Sequence, residues 1–164
     1  MIEGRAWIYG DDVNTDVIFP GKYTYQPLEP ADMAEHALED LDPGFAGEVR
    51  PGDVIVAGRN FGCGSSREQA ATCLVAAGVS AVIARSFARI FFRNAINNGL
   101  PVIELVDGIE GVHKGDAVGV DFQKGILTHN GKEYRFPALP PEVLAILEDG
   151  GLIPHVKKLL AEGG

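Results

Sequence analysis

Gly62-Cys63-Gly64-Ser65-Ser66-Arg67-Glu68-Gln69-Ala70-Ala71 is the stretch whose reading decides the fold. It follows the apolar run Val54-Ile55-Val56-Ala57, which has strand character, and precedes Ala70, Ala71, Leu74, Val75 and Ala77 at helical spacing. The order is strand, glycine-rich loop, helix. Such a junction leaves the first N–H groups of the helix without intrahelical partners beside the positive end of its dipole, an arrangement that favours an anion. Arg67 adds a planar fork suited to a carboxylate or a phosphate.

Downstream, Gly78 is placed to stop the helix, Ala81-Val82-Ile83-Ala84 reads as the next strand, and Ser86 reads as the N-cap of a helix from Phe87 to about Asn98. Gly99 closes it and Pro101 to Leu105 gives another strand. This β-α-β-α-β alternation implies parallel strands joined by right-handed crossovers, with helices covering the sheet. The pattern then changes: Ala117 to Asp121, Ile126 to His129 and Glu133 to Phe136 are short strands, the last two joined by Asn130-Gly131, a type I′ hairpin signal. Pro141 to Leu147 and a segment after Gly151 carrying Leu152, Val156, Leu159 and Leu160 read as helices.

Upstream, Ala6-Trp7-Ile8-Tyr9 is a first strand that runs into Gly10-Asp11-Asp12-Val13-Asn14-Thr15-Asp16. The acidic run lacks the sixth-position glycine and the closing glutamate of a calcium loop and reads as an Asx-rich turn. Met33, Ala34, Ala37, Leu38 and Leu41 predict an amphipathic helix from Pro30, stopped by Pro43-Gly44. Between them Lys22 to Leu28 is a loop without period, whose Tyr23 and Tyr25 either line a pocket or pack beneath the loop. The expected fold class is α/β, a mixed sheet core with flanking helices and a β-hairpin unit, in a single domain spanning 1–164.

With 164 residues, 46% hydrophobic and 23% charged, the chain can bury an ordinary core, and its 21 glycines announce many tight turns. A formal charge of −9 argues against a nucleic-acid partner, which needs a basic footprint. No membrane-length apolar run and no signal-like N-terminus are visible, so the expected location is the cytoplasm. Cys63 and Cys73 are too few for a disulfide framework or a four-thiolate site, and the expectation is no metal ligated by this chain.

Three common chemistries fail on spacing. A dinucleotide fingerprint needs glycine where Arg67 stands, a P-loop needs Gly-Lys-Ser or Gly-Lys-Thr, and a nucleophile elbow needs a glycine two residues after its serine. The plainest local reading of Ser65-Ser66-Arg67-Glu68 is a capping box, with Ser65 capping the helix and Glu68 reaching back. Two hydroxyls, a guanidinium, a thiol and helix amides at one loop exceed what capping requires. His36, His113, His129 and His155 are scattered and supply no triad.

Gly58 to Ala70, with Ser86-Phe87-Ala88-Arg89-Ile90-Phe91-Phe92-Arg93-Asn94-Ala95-Ile96-Asn97-Asn98-Gly99-Leu100-Pro101 and Asn14-Thr15-Asp16-Val17-Ile18 before Pro20-Gly21, resembles the small subunit of 3-isopropylmalate dehydratase and its aconitase-superfamily relatives. The resemblance implies a swivelling β/β/α domain that closes over an active site held mainly by a separate large subunit. That partner, in a heterodimer or heterotetramer, would carry a [4Fe–4S] cluster. The reaction would be dehydration and rehydration of a small hydroxy-dicarboxylate. By motif position, Ser65 would be the catalytic base and Asp16 would hydrogen-bond a histidine of the large subunit. Arg67 and Ser66 would bind substrate carboxylate, with Gly64, Tyr23, Thr24 and Tyr25 completing the substrate-binding set. Homoaconitase-like members carry an arginine in the loop that is Tyr23-Thr24-Tyr25-Gln26 here, so an apolar substituent, as in isopropylmalate, fits best. A tricarboxylate, a smaller alkylmalate or a non-catalytic anion-binding module are the alternatives.

Overall fold

A computed structural model describes residues 2–163. In chain order the elements are β1 (Ile2–Ile8), α1 (Thr15–Ile18), a 3-10 turn (Gly21–Tyr23), α2 (Pro30–Ala34), α3 (Phe45–Glu48), β2 (Val54–Ala57), α4 (Glu68–Ala76), β3 (Ala81–Ala84), α5 (Arg89–Asn97), β4 (Val102–Glu104), β5 (Ala117–Asp121), β6 (Ile126–His129), β7 (Lys132–Arg135), α6 (Pro141–Glu148) and α7 (Leu152–Gly163).

The sheet order is β4-β3-β2-β1-β5-β6-β7. β2, β3 and β4 are parallel, and β2 and β3 are buried along their whole length on both faces, which is why Val54–Ala57 and Ala81–Ala84 are unbroken apolar runs rather than alternating ones. β5, β6 and β7 are antiparallel, and Asn130 and Gly131 both take positive φ as a I′ turn demands. The parallel and hairpin halves are one mixed sheet, not separate units, because β1 joins them. Its Ala6–Ile8 end runs parallel to β2 while its Ile2–Arg5 end pairs antiparallel with β5. One apolar cluster packs the helices against one face around Phe19, Phe45, Phe61, Leu74 and Phe91; a second fills the other face around Ile83, Ile103, Val120 and Leu127.

Asp53 ties this junction together. It is 3% exposed and accepts from Arg5 Nη2 at 2.9 Å, Trp7 Nε1 at 2.9 Å and the Arg50 amide at 2.9 Å. Burial pushes its carboxyl up, and the bonds from Arg5, Trp7 and Arg50 together outweigh that and hold it below the usual carboxylate range.

Several local expectations are corrected. The helix predicted from Pro30 to Leu41 stops at Ala34, and Leu38 takes φ +56° with its amide donating to the Ile18 carbonyl at 2.8 Å. Ala37 and Leu38 are fully buried as their periodicity implied; reaching the core required the chain to leave the helix. Ser86 is not an N-cap: α5 begins after Ala88, and the Ser86 hydroxyl instead accepts from the Asn60 amide at 2.8 Å. The Asx-rich turn is more specific than a turn. Asn14 caps α1, its Oδ1 accepting from the Val17 amide at 2.8 Å, so the apolar run Val17-Ile18-Phe19 begins as one helical turn.

Candidate active site

The 62–67 loop is held from two sides. Gly62 N donates to Val13 O at 2.7 Å, and Thr15 N donates to Cys63 O at 2.9 Å. On the other side Phe61 N donates to Ser86 O at 3.1 Å and Ala88 N returns to Phe61 O at 3.0 Å. The three motif segments that lie far apart in sequence therefore meet as short bridges, Asn14 with Cys63 and Phe61 with Phe87. Gly62 must be glycine: its φ is +83°, and a Cβ there would stand 2.2 Å from Cγ of Phe91, a ring only 1% exposed. Thr15, 3% exposed, adds a hydroxyl clamp, donating to the Ser65 carbonyl at 2.6 Å.

The capping-box reading of Ser65-Ser66-Arg67-Glu68 does not hold. The N-cap residue is Arg67, extended at φ −135° and ψ 111°, without a side-chain cap. Glu68 reaches forward to Asn98 rather than back, its Oε1 accepting from Asn98 Nδ2 at 3.3 Å. The first turn of α4, at the positive end of the helix dipole, is left without a side-chain cap, and Ser65 and Ser66 stand exposed in front of it. A cavity of about 200 Å³ opens there, lined by Thr15, Ser65, Ser66, Arg67, Arg89 and Asn94 among others.

Arg67 and Asp16, assigned separate roles from sequence, are in contact. Arg67 Nη1 donates to Asp16 Oδ1 at 2.6 Å and to the Phe19 carbonyl at 3.4 Å, and the same Asp16 oxygen accepts from the Gly21 amide at 2.8 Å. The bond from Arg67, reinforced by the Gly21 amide, holds the Asp16 carboxyl below its ordinary range. The side chain of Asp16 remains 64% exposed, so its other oxygen faces outward. The guanidinium passes close over Gly21, where a Cβ would meet Nη1 at 2.9 Å.

The 23–26 loop divides. Tyr23 packs inward, stacked on His36 with ring centroids 3.8 Å apart and its hydroxyl 3.3 Å from Glu39 Oε1. Tyr25 is 94% exposed. The Thr24 hydroxyl is buried without a hydrogen-bond partner among the described residues. None of the three lines the cavity in front of α4. Arg89 and Asn94 do; the resemblance had placed them in the motif without a role at the site, and only the approach of α5 to the loop reveals them.

Three of the histidines are tied to acidic partners away from the cavity, His36 to Glu39, His129 to Asp116 and His155 to Asp149. Cys73 is fully buried, with its thiol against the Ile18 and Ala70 carbonyls, and burial pushes that thiol well up. Among the described residues no three His, Cys, Asp or Glu side chains come together as a ligand set. Among those residues, too, no helix is long and apolar enough to cross a membrane.

Residues 36–108 match the aconitase C-terminal domain family. The chain is 48% identical over 162 residues to the 3-isopropylmalate dehydratase small subunit of Heliobacterium modesticaldum, covering 98% of this chain and 97% of that one. It is 52% identical over 157 residues to 3-isopropylmalate dehydratase small subunit 2 of Archaeoglobus fulgidus, with 94% of each covered. Among solved structures, the crystal structure of a 3-isopropylmalate dehydratase from Methanocaldococcus jannaschii superposes with a TM-score of 0.91 at 42% identity, covering 99% of each chain. The curled mixed sheet described above is thus the swivel-domain architecture.

Proposed function

This chain belongs to the family of 3-isopropylmalate dehydratase small subunits, and from that premise we propose that it is the small half of a hydro-lyase that interconverts 2- and 3-isopropylmalate by dehydration and rehydration. The observation that carries the reading is the uncapped start of α4, where Ser65, Ser66 and Arg67 converge on one cavity. A carboxylate of the substrate fits there, between the guanidinium of Arg67 and the free amides of the first helical turn. Ser65 is the base that takes the carbon-bound proton onto Oγ. Its alkoxide is made less costly by the helix dipole, which acts most strongly at that first turn.

Asp16 has two tasks in this reading. One oxygen holds Arg67 in place, and the outward one is free for a histidine of the large subunit. In this reading the cluster is carried by the large subunit, because the two cysteines here are too few to supply its thiolate ligands, and the pair is the catalytic unit. The absence of an arginine from Tyr23 to Gln26 favours an apolar substituent on the substrate.

The test is reconstitution with a cluster-bearing large subunit. The chain alone gives no turnover and the pair converts 2-isopropylmalate in preference to homoaconitate. Ser65→Ala lowers kcat by about 10²–10⁴-fold, the range of a positioned proton-transfer group. Full activity of that variant in an assembled, cluster-loaded pair removes Ser65 as the base.

A further inference from the structure

Among the described residues no acidic side chain lines the cavity in front of α4, although Glu68 follows Arg67 directly and opens the helix. A site that must receive a carboxylate thus has an acid of its own at its border. A glutamate in the first helical turn is drawn to the unpaired amides and to the positive end of the dipole, the same features that suit a substrate anion. The spacing Ser65-Ser66-Arg67-Glu68 is also one from which a glutamate can fold back onto the amides before it. Those amides are free to receive it: among the described residues the N–H groups of Arg67, Glu68 and Gln69 meet no acceptor, and the first of the turn to be engaged is Ala70 N, donating to the Arg67 carbonyl at 3.2 Å.

Glu68 is turned the other way. Its Oε1 accepts from Asn98 Nδ2 at 3.3 Å, and the same nitrogen donates to the Asn94 carbonyl at 2.7 Å. Both neighbours are acceptor oxygens, so the group between them is the amide NH2, with one hydrogen for each. Asn98 is itself fixed as the residue that closes α5, its backbone N–H donating to Asn94 O at 3.0 Å and to Ala95 O at 3.2 Å. Asn94, whose carbonyl orients the amide, lines the cavity together with Ser65 and Arg67. The hydrogen bond therefore runs from a braced helix end to the acid that begins α4.

We propose that Asn98 is a positioning residue for the carboxylate site: it holds the Glu68 carboxylate away from Arg67 and the free amides of α4, and so keeps an intramolecular competitor out of the substrate's place. The inference rests on the functional reading above and adds to it a residue that acts only through Glu68. With the bond removed, Glu68 fills the position for most of the time, and substrate binds more weakly in proportion to the fraction left open. The chemistry after binding is unaltered, so the effect falls on KM and spares kcat.

The experiment titrates this chain to saturation with the large subunit and measures kcat and KM for 2-isopropylmalate. Asn98→Ala raises KM about three- to tenfold with kcat within about twofold of wild type. Adding Glu68→Ala returns KM to within about twofold of wild type, and Glu68→Ala alone leaves both constants there. That recovery separates positioning from stability, because a loosened end of α5 lowers the melting temperature in the single and the double variant alike. A second measurement needs no turnover. In amide spectra of the chain alone, the Arg67 and Gln69 resonances move between wild type and Asn98→Ala, yet coincide between Glu68→Ala and the double variant. A wild-type KM in Asn98→Ala, or a raised KM that Glu68→Ala fails to recover, overturns the proposal and leaves the functional reading intact. A wild-type pair that gives no turnover defeats the functional reading, and the spectra then decide for Asn98 alone: resonances unmoved in Asn98→Ala, or moved equally when Glu68 is already alanine, overturn its part in holding Glu68.

Discussion

Replacing Thr15 with valine removes one hydroxyl and keeps the shape of the side chain, which makes it the sharpest probe of how the catalytic loop is held. The Thr15 hydroxyl is buried and donates to the Ser65 carbonyl at 2.6 Å, while its backbone amide holds Cys63. Losing a buried hydrogen bond costs about 1–3 kcal/mol, the upper end applying when the abandoned group cannot reach water. Ser65 is exposed, so its carbonyl can be hydrated and the cost falls at about 1–1.5 kcal/mol. If that energy holds Ser65 in its working position, the competent population drops about five- to twelvefold. Measured on the reconstituted pair, Thr15→Val lowers kcat by that factor with KM nearly unchanged, and Thr15→Ser restores most of it. Because the segment 13–15 also braces the loop, the melting temperature falls by a few degrees in Thr15→Val, about 2–4 °C for a domain of this size. A variant that melts lower yet keeps wild-type kcat refutes the reasoning, since the bond would then serve stability alone.

Gly62→Ala combines a positive φ with a Cβ 2.2 Å from a buried phenyl ring, and is expected to lower the unfolding free energy by about 3 kcal/mol or more, read from a urea midpoint. Asp53→Asn cuts the junction between β1, β2 and the turn before β2, and costs about 2–3 kcal/mol, moderated because the Arg5 side chain is 38% exposed. Since the Asp53 pKa is depressed on folding, its contribution is present above the ordinary carboxylate range and fades as pH falls through the depressed value. The stability gap between wild type and Asp53→Asn therefore shrinks on acidification, and a gap that widens rejects this account. Tyr25→Ala, at a side chain 94% exposed, leaves the melting temperature unchanged within about 1 °C but alters kcat/KM or the large-subunit titration if the loop faces substrate or partner.

The apolar runs at Val54–Ala57 and Ala81–Ala84, the Asn130-Gly131 hairpin and the strand-loop-helix order around Gly62 were legible because each depends on neighbours in sequence: periodicity, turn chemistry and a missing side chain. The motif segments at 14–18, 58–70 and 86–101 were legible as a family resemblance for the same reason, since side chains confined by one geometry leave fixed spacings. The length of α2 was not, because Leu38 leaves helical geometry to reach a core that residues distant in sequence create. Nor was the role of Glu68, whose local capping partner lost to Asn98, the residue that caps the C-terminus of α5.

What the sequence determined by itself was the set of groups at the start of α4 and the fold class that presents them. Tertiary structure decided which of those groups are free. Arg67 was drawn onto Asp16, Thr15 onto the Ser65 carbonyl, Tyr23 onto His36, and Arg89 to the cavity, each across a loop or between separate elements. The physical reason is that hydrogen-bond and charge partners are chosen by distance in space, and only the curling of the sheet about β1 and the packing of α1 and α5 on the 62–67 loop set those distances.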